Sequence, residues 1–276
     1  TLTNSYIGYS SNNGIEAYTS HNWTLMDNNI EYMDNEGIHF DTGNNLVIDS
    51  NTISFTSQGM GILYAPNASI SDNQLIGPMN IGMYVDTCQG AQVIGNTIDE
   101  VEEALGCDSS NNVTIENNVI THASIAGLGV SQANYGRIAH NTIGTGPLIG
   151  IHCNTLLDFE IIGNTMTDCG FYFVEGAIPE YYHVVEDNTV NGLPIFYEPD
   201  TNNLDLLASN YGQILLLNNS WVDIHDNIFG LSTLPLIAAY SANLEIWNLE
   251  TSGNYYGMAF QFSDNITIRD FIHHGS

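Results

Sequence analysis

The sequence predicts an all-β chain: a single-stranded, right-handed parallel β-helix, in which short strands wind into a solenoid. Three observations carry that prediction: an asparagine that returns at a nearly constant interval, short apolar/polar alternations around it, and a scarcity of helix signals. The asparagine stands in Asn28-Asn-Ile, Asn51-Thr-Ile, Asn73-Gln-Leu, Asn96-Thr-Ile, Asn118-Val-Ile, Asn141-Thr-Ile, Asn164-Thr-Met and Asn188-Thr-Val. Its separations are 23, 22, 23, 22, 23, 23 and 24 residues. Asn4 starts the series on the same count and Asn227 resumes it. A fixed period in the twenties means stacked coils, about 11–12 of them at 22–24 residues each.

Each period reads the same way. Alternations such as Leu46-Val-Ile48 and Val113-Thr-Ile115 form a first strand, and the asparagine with its aliphatic partner makes a corner and a second strand. A glycine opens a third strand, as in Gly37-Ile-His-Phe40, Gly61-Ile-Leu-Tyr64, Gly82-Met-Tyr-Val85, Gly127-Leu-Gly-Val130 and Gly150-Ile-His-Cys153. Polar turns such as Gly43-Asn-Asn45 and Ser110-Asn-Asn112 close the coil. Leucine-rich repeats share the length, but the apolar columns here mix Ile, Val, Leu and Met. A corner asparagine tolerates the left-handed backbone region, and stacking puts successive amides about 4.8 Å apart, where they bond in a ladder. Asn188 to Asn227 spans 39 residues, so 189–226 holds one enlarged coil or an extra one. The last coils keep Leu244-Glu-Ile246 and Ile266-Thr-Ile268 but carry Leu249 and Phe271 at the ladder position. No Pro/Ser-rich boundary interrupts the pattern, so 1–276 reads as a single domain with open coils at both ends, either a slice of a longer solenoid or a chain whose ends neighbouring copies cover.

Composition narrows the function. Lys and Arg total 2 against 31 Asp and Glu, for a net charge near −29. Charged residues make up 12%, about half the ~25% of ordinary soluble domains, so it is the basic side that is missing. That excludes nucleic acid and anionic membrane surfaces as partners, and leaves divalent cations compatible. No apolar run is long enough for membrane insertion. The four cysteines show no CxxC spacing, which argues against a structural zinc site. Aligning the coils puts Cys107 and Cys153 in one inward column two coils apart, as free thiols. Cys88 and Cys169 fall in turns, where oxidation would link them to another subunit.

The repeats resemble those of pectate-lyase-type right-handed β-helices over essentially the whole chain. The segments Asn191-Gly-Leu-Pro-Ile-Phe-Tyr197, Gly212-Gln-Ile-Leu-Leu-Leu-Asn-Asn219 and Asp264-Asn-Ile-Thr-Ile268 are similar to β-helix surface proteins of methanogenic archaea, which overlap with β-helix proteins of periplasmic copper-site assembly. The resemblance implies an extracellular, cell-surface location and is far more specific for fold than for function. Lyases of this fold use an Arg or Lys at the site, whereas Arg137 and Arg269 lie six coils apart, roughly 29 Å at the strand spacing. The Gly-His-Gly element of polygalacturonase-like hydrolases and the Asp-Pro-His-Asp cluster of alginate-epimerase-like chains are absent. The sequence therefore names no catalytic residue.

Remaining site candidates are an acidic group and a set of sequons. Asp99, Glu100, Glu102 and Glu103, with Asp86 and Asp108 on neighbouring coils, form an exposed acidic turn, a Ca²⁺ site built from hard oxygen ligands, or a carboxylate pair for glycosidase chemistry. Among the nine His, His39 and His152 share an outward column but lie five coils apart, so no pair has ligand spacing for copper. Tyr181-Tyr182 and Tyr255-Tyr256 are candidates for stacking on sugar rings. Asn22, Asn67, Asn112, Asn218 and Asn265 are glycosylation acceptors, mostly at surface corners. The first expectation is a non-enzymatic structural protein of an archaeal cell envelope, a sheath or surface layer, which self-assembles into an array with itself or other envelope proteins. The alternatives are a carbohydrate-binding or polysaccharide-processing β-helix, and a copper-delivery β-helix.

Overall fold

Strands in this chain pair almost entirely with their equivalents one coil away, in parallel. The computed structural model describes residues 1–174, 176–230 and 232–274 and is a right-handed parallel β-helix of about 12 turns with almost no helix. A representative coil runs Thr114–Glu116, Val119–Thr121 and Ala126–Ser131. The first strands stack into a nine-stranded sheet from Leu2–Thr3 to Val184–Glu186. Alternation decides which residues enter the core. Leu25, Ile48, Ile70, Val93, Ile115, Ile138 and Ile161 occupy one inward column, and all are 0–1% exposed. Burial of each such side chain contributes roughly 1.5–3 kcal/mol.

The asparagine ladder is continuous from Asn28 to Asn188. Each Nδ2 donates to the Oδ1 of the next coil's asparagine at 2.8–3.0 Å. The same Oδ1 accepts the backbone N–H of the preceding rung. Nδ2 also reaches back to a first-strand carbonyl, as Asn96 does to Ile70 O at 3.0 Å. No amide is left unsatisfied at 0–2% exposure.

Three details differ from the sequence-based expectation. The left-handed residue is the one before each rung (Asp27, Ser50, Asp72, Gly95, Asn117, His140, Gly163, Asp187), and the rung asparagine is not itself left-handed. Asn4 is such a preceding residue, at φ 52°, and the N-terminal rung position belongs to Ser5, whose N–H donates to Asn28 Oδ1. The side chain of Asn227 lies outside the described residues; its backbone pairs in register with Leu249. The glycine that opens the third strand is Gly59 in its coil, because Gly61 is in register with His39. A Cβ at Gly59 would sit 2.4 Å from Gly82 O, so close stacking at that bend requires glycine.

The segment 189–226 turns once antiparallel, Val190 opposite Leu193, and then starts a new short coil. Leu193–Tyr197 and Asn202–Leu207 found two further parallel sheets. One continues through Gln213–Leu217, Leu236–Ala239 and Met258–Gln261, the other through Ser220–Phe229, Ala242–Ser252 and Asp264–His274. This second stack has its own apolar cluster, including Ile214, Leu216, Ile224, Leu244 and Ile246. Gln213, fully buried, joins the stacks: its amide accepts from Phe171 N–H and donates to the carbonyls of Phe171 and Leu234.

Candidate functional site

On the third-strand face the middle outward column reads His39, Gly61, Tyr84, Gly106, Gly129, His152, Tyr172. Side chains are missing at two successive positions between two rings. Tyr84 leans over Gly106, where a Cβ would meet its ring at 3.0 Å, whereas a Cβ at Gly129 would meet nothing within 4 Å. A trough of about 300 Å³ results, bordered by Glu103 and Ala126 along one margin, by Asp108 and Ser131 along the other, and by His152 at one wall.

The electrostatics of the trough follow from its burial. Burial pushes the His152 imidazole below its usual value, so it is neutral at physiological pH, and its Nε2 is shielded from water without a protein partner. Such an unmade bond costs about 1–3 kcal/mol. Burial, then the charges of Asp86 and Asp108, raise the Tyr84 phenol, which stays protonated. The His152 ring tilts against Tyr172 at 5.4 Å, and Tyr172 stacks on Tyr256 at 5.4 Å and 14°. The second stack thus braces a wall of the trough. Acceptor carboxylates, a hydroxyl, a phenol and a neutral imidazole, with no cation in the lining, suit a hydroxyl-rich ligand and repel an anionic one.

The residues singled out from sequence are distributed differently. The six carboxylates do not converge. Glu100 and Glu102 border a separate hollow with Ser57 and Asn80, while Glu103 and Asp108 border the trough. Burial raises the Asp99 carboxyl, but hydrogen bonds from Thr121 and His122 outweigh it and hold it below the usual range. Among the described residues no three His, Cys, Asp or Glu side chains come together as a metal-holding group, and Asp86, Asp99, Glu100, Glu102, Glu103 and Asp108 form none.

Cys107 and Cys153 do share an inward column, with Val130 between them. Cys88 and Cys169 are 0% exposed and free, so the expected link to another subunit is corrected. For Cys88 the reason is a second corner ladder, in which Ala65 N–H donates to Cys88 Sγ and Cys88 N–H donates to Ser110 Oγ, whereas Cys169 Sγ lies against the Ile143 carbonyl. Tyr181 is buried with its hydroxyl on Gln261, and Tyr182 donates to Asp200. Tyr9, Tyr32 and Phe55 are exposed, but they stack on one another at 4.9 Å, which occupies their faces. Asn22, Asn67, Asn112, Asn218 and Asn265 are all exposed, each at a left-handed corner with φ of 50–59°.

A family model described as "Periplasmic copper-binding protein (NosD)" matches residues 41–191, a span that contains most of the trough. Among curated proteins none matches this chain. Similar solved structures include an alginate lyase from Paenibacillus sp. str. FPU-7, at 11% identity over 94% of this chain and 99% of that one, TM-score 0.41. The Azotobacter vinelandii mannuronan C-5 epimerase AlgE6 A-module aligns at 13% identity over 97% and 80%, TM-score 0.43. PfbA, a surface adhesin of Streptococcus pneumoniae, aligns at 10% identity over 86% and 82%, TM-score 0.36. At these identities the likenesses concern architecture and carry nothing about chemistry.

The described residues do not fit copper. Burial raises the thiols to about 11 at Cys88 and about 12 at Cys107 and Cys169, which keeps them protonated inside the core. The imidazoles are dispersed and mostly engaged: His39 with Glu36, His122 with Asp99, and His225 with Asp205 and Asp226. No helix among the described residues is long and apolar enough to cross a membrane.

Proposed function

The chain belongs to the NosD family, and from that premise we propose that it is a non-catalytic, extracytoplasmic glycan-binding β-helix that seats a neutral saccharide over Gly129. The observation that carries this reading is the open Gly129 floor, walled by Tyr84 on one side and by a neutral His152 on the other. The ring of Tyr84 offers an apolar face beside the floor, and Glu103, Asp108 and Ser131 accept or share hydroxyl protons. A structural envelope array, the first expectation from sequence, leaves both the trough and its buried imidazole without a role.

The test uses Gly129→Trp. A Cβ at Gly129 meets nothing within 4 Å and the residue faces outward, so the ring enters the trough and not the core, and circular dichroism checks that the fold is retained. Calorimetric titration of wild type with a panel of neutral oligosaccharides should find a binder, and Gly129→Trp should weaken it at least tenfold. A panel without binders, or equal affinity in the variant, overturns the reading.

A further inference from the structure

The outward face of the four-stranded C-terminal sheet, beyond the family-matched span, holds a different constellation. Register places Asp205, Asp223, Glu245 and Thr267 in one column and Leu207, His225, Trp247 and Arg269 in the next. Trp221, Asn243 and Asn265 follow at the adjoining corner, all left-handed at φ 59°, 55° and 54°. Between corner and sheet lies a cleft of about 310 Å³ lined by Trp221, Asp223, Asn243, Glu245, Asn265 and Thr267. Trp221 is 63% exposed, so a large ring stands over the cleft without being used in the core.

The carboxylates around this cleft are held in place by their neighbours. Trp247 Nε1–H donates to Asp223 Oδ1 at 2.6 Å, and Arg269 reaches Glu245 Oε2 at 3.3 Å. His225 stacks on Trp247 at 4.7 Å and 10°, with its two ring nitrogens on Asp205 at 2.8 Å and Asp226 at 2.9 Å. Those bonds lock the imidazole behind the Trp247 ring and use up both nitrogens. One oxygen of Asp223 and one of Glu245 are thereby tied to the scaffold, and both residues line the cleft.

We infer that this cleft binds an amine-bearing saccharide, a hexosamine unit with a free ammonium group. The ammonium satisfies Asp223 and Glu245, the sugar face lies on Trp221, and ring hydroxyls reach Asn243, Asn265 and Thr267. A neutral sugar brings no charge to Asp223 and Glu245, and no cation stands beside them in the cleft lining. A uronate adds a further negative charge to a chain already near −29. The site stands independently of the trough reading.

Tryptophan fluorescence and calorimetry at pH 6 would compare a glucosamine trisaccharide with its N-acetylated counterpart, with a neutral glucose trisaccharide and with trilysine. The glucosamine trimer should bind and perturb the emission, and each of the other three should bind at least tenfold more weakly. Asp223→Asn combined with Glu245→Gln, and separately Trp221→Ala, should each weaken it at least tenfold with the circular dichroism unchanged. Gly129→Trp should leave this affinity as it is, which separates the cleft from the trough. Absence of binding, equal binding of the N-acetylated or glucose trimer, or equal binding of trilysine overturns the assignment. So does an unchanged affinity in Trp221→Ala, since attraction would then come from net charge alone.

Discussion

The two stacks solve the same corner problem with different amounts of hydrogen bonding. From Asn51 to Asn164 every rung is an amide that accepts twice from the preceding rung and donates both forward and back. In the second stack the ladder is Asn219, Ser241 and Ser263, linked only by backbone N–H to hydroxyl bonds of 3.2 and 3.0 Å. A hydroxyl has one proton, which Ser241 gives to Ala239 O, so none remains for the next coil. The amide stack is cross-linked by its side chains, while the hydroxyl stack relies on its strands and on its own apolar cluster. Polar chemistry concentrates on the less tightly cross-linked stack, where Asp205, His225, Trp247 and Arg269 share one face.

The largest contrast should appear on removing one rung from each ladder. Asn96→Ala removes the oxygen that accepts both Asn73 N–H and one Asn73 Nδ2 proton in a dry corner, and should cost about 3 kcal/mol. Ser241→Ala strands a single N–H and should cost about 1 kcal/mol in the same urea titration. Comparable losses would mean that the ladders do not differ as described.

Acidification should act with opposite sign on the two stacks. His183, packed between Phe159 and Phe173, is lowered by burial from 6.5 to about 4. A depressed folded-state pKa gives stability that is complete above pH 6.5 and declines as pH falls through 4, by about 3 kcal/mol for this group. His183→Phe should flatten that part of the pH profile of unfolding. His225 is raised, first by Asp226 and then by Asp205, so its contribution is complete below pH 6.5 and is lost as pH climbs through the raised value. Hydrogen exchange in Ser220–Phe229, corrected for intrinsic rate, should therefore be slower at pH 6 than at pH 8, and His225→Gln should abolish the difference.

The smallest expected effect concerns Cys88. Its sulfur takes the place that the Ser110 hydroxyl takes one coil later, so Cys88→Ser should change stability by less than about 1 kcal/mol. Cys107→Ser puts a hydroxyl between Val85 and Val130 and should cost more. Unfolding midpoints of the two variants, in that order, check the assignment of the second corner.

The coil period was readable because one corner always carries the same side chain. The opposite corner passes through Ala65, Cys88 and Ser110, chemically unlike residues that a pattern search does not join, and so Cys88 read as an exposed turn residue. The trough was illegible for a related reason. Gly127 and Gly129 look alike in Gly127-Leu-Gly-Val130, yet one is required by a carbonyl 2.8 Å away and the other floors an open space. Pairing register separates them, and register across coils is set by the bends. The Tyr172–Tyr256 stack depends on how the 189–226 segment redirects the chain, which local sequence does not encode.

The amide file of the first stack also has a direction. Every rung hands its backbone proton toward the C-terminal side, so the N–H of one coil is satisfied only when the following coil supplies its oxygen. A chain emerging from the ribosome N-terminus first would carry, at each moment, one unfinished rung at its growing edge, and each new coil would complete its predecessor. Synthesis and stacking then proceed in the same direction, and the register of a coil is checked before the next one is made. Loss or gain of a whole coil keeps that relay intact, whereas loss of part of a coil breaks it at one rung.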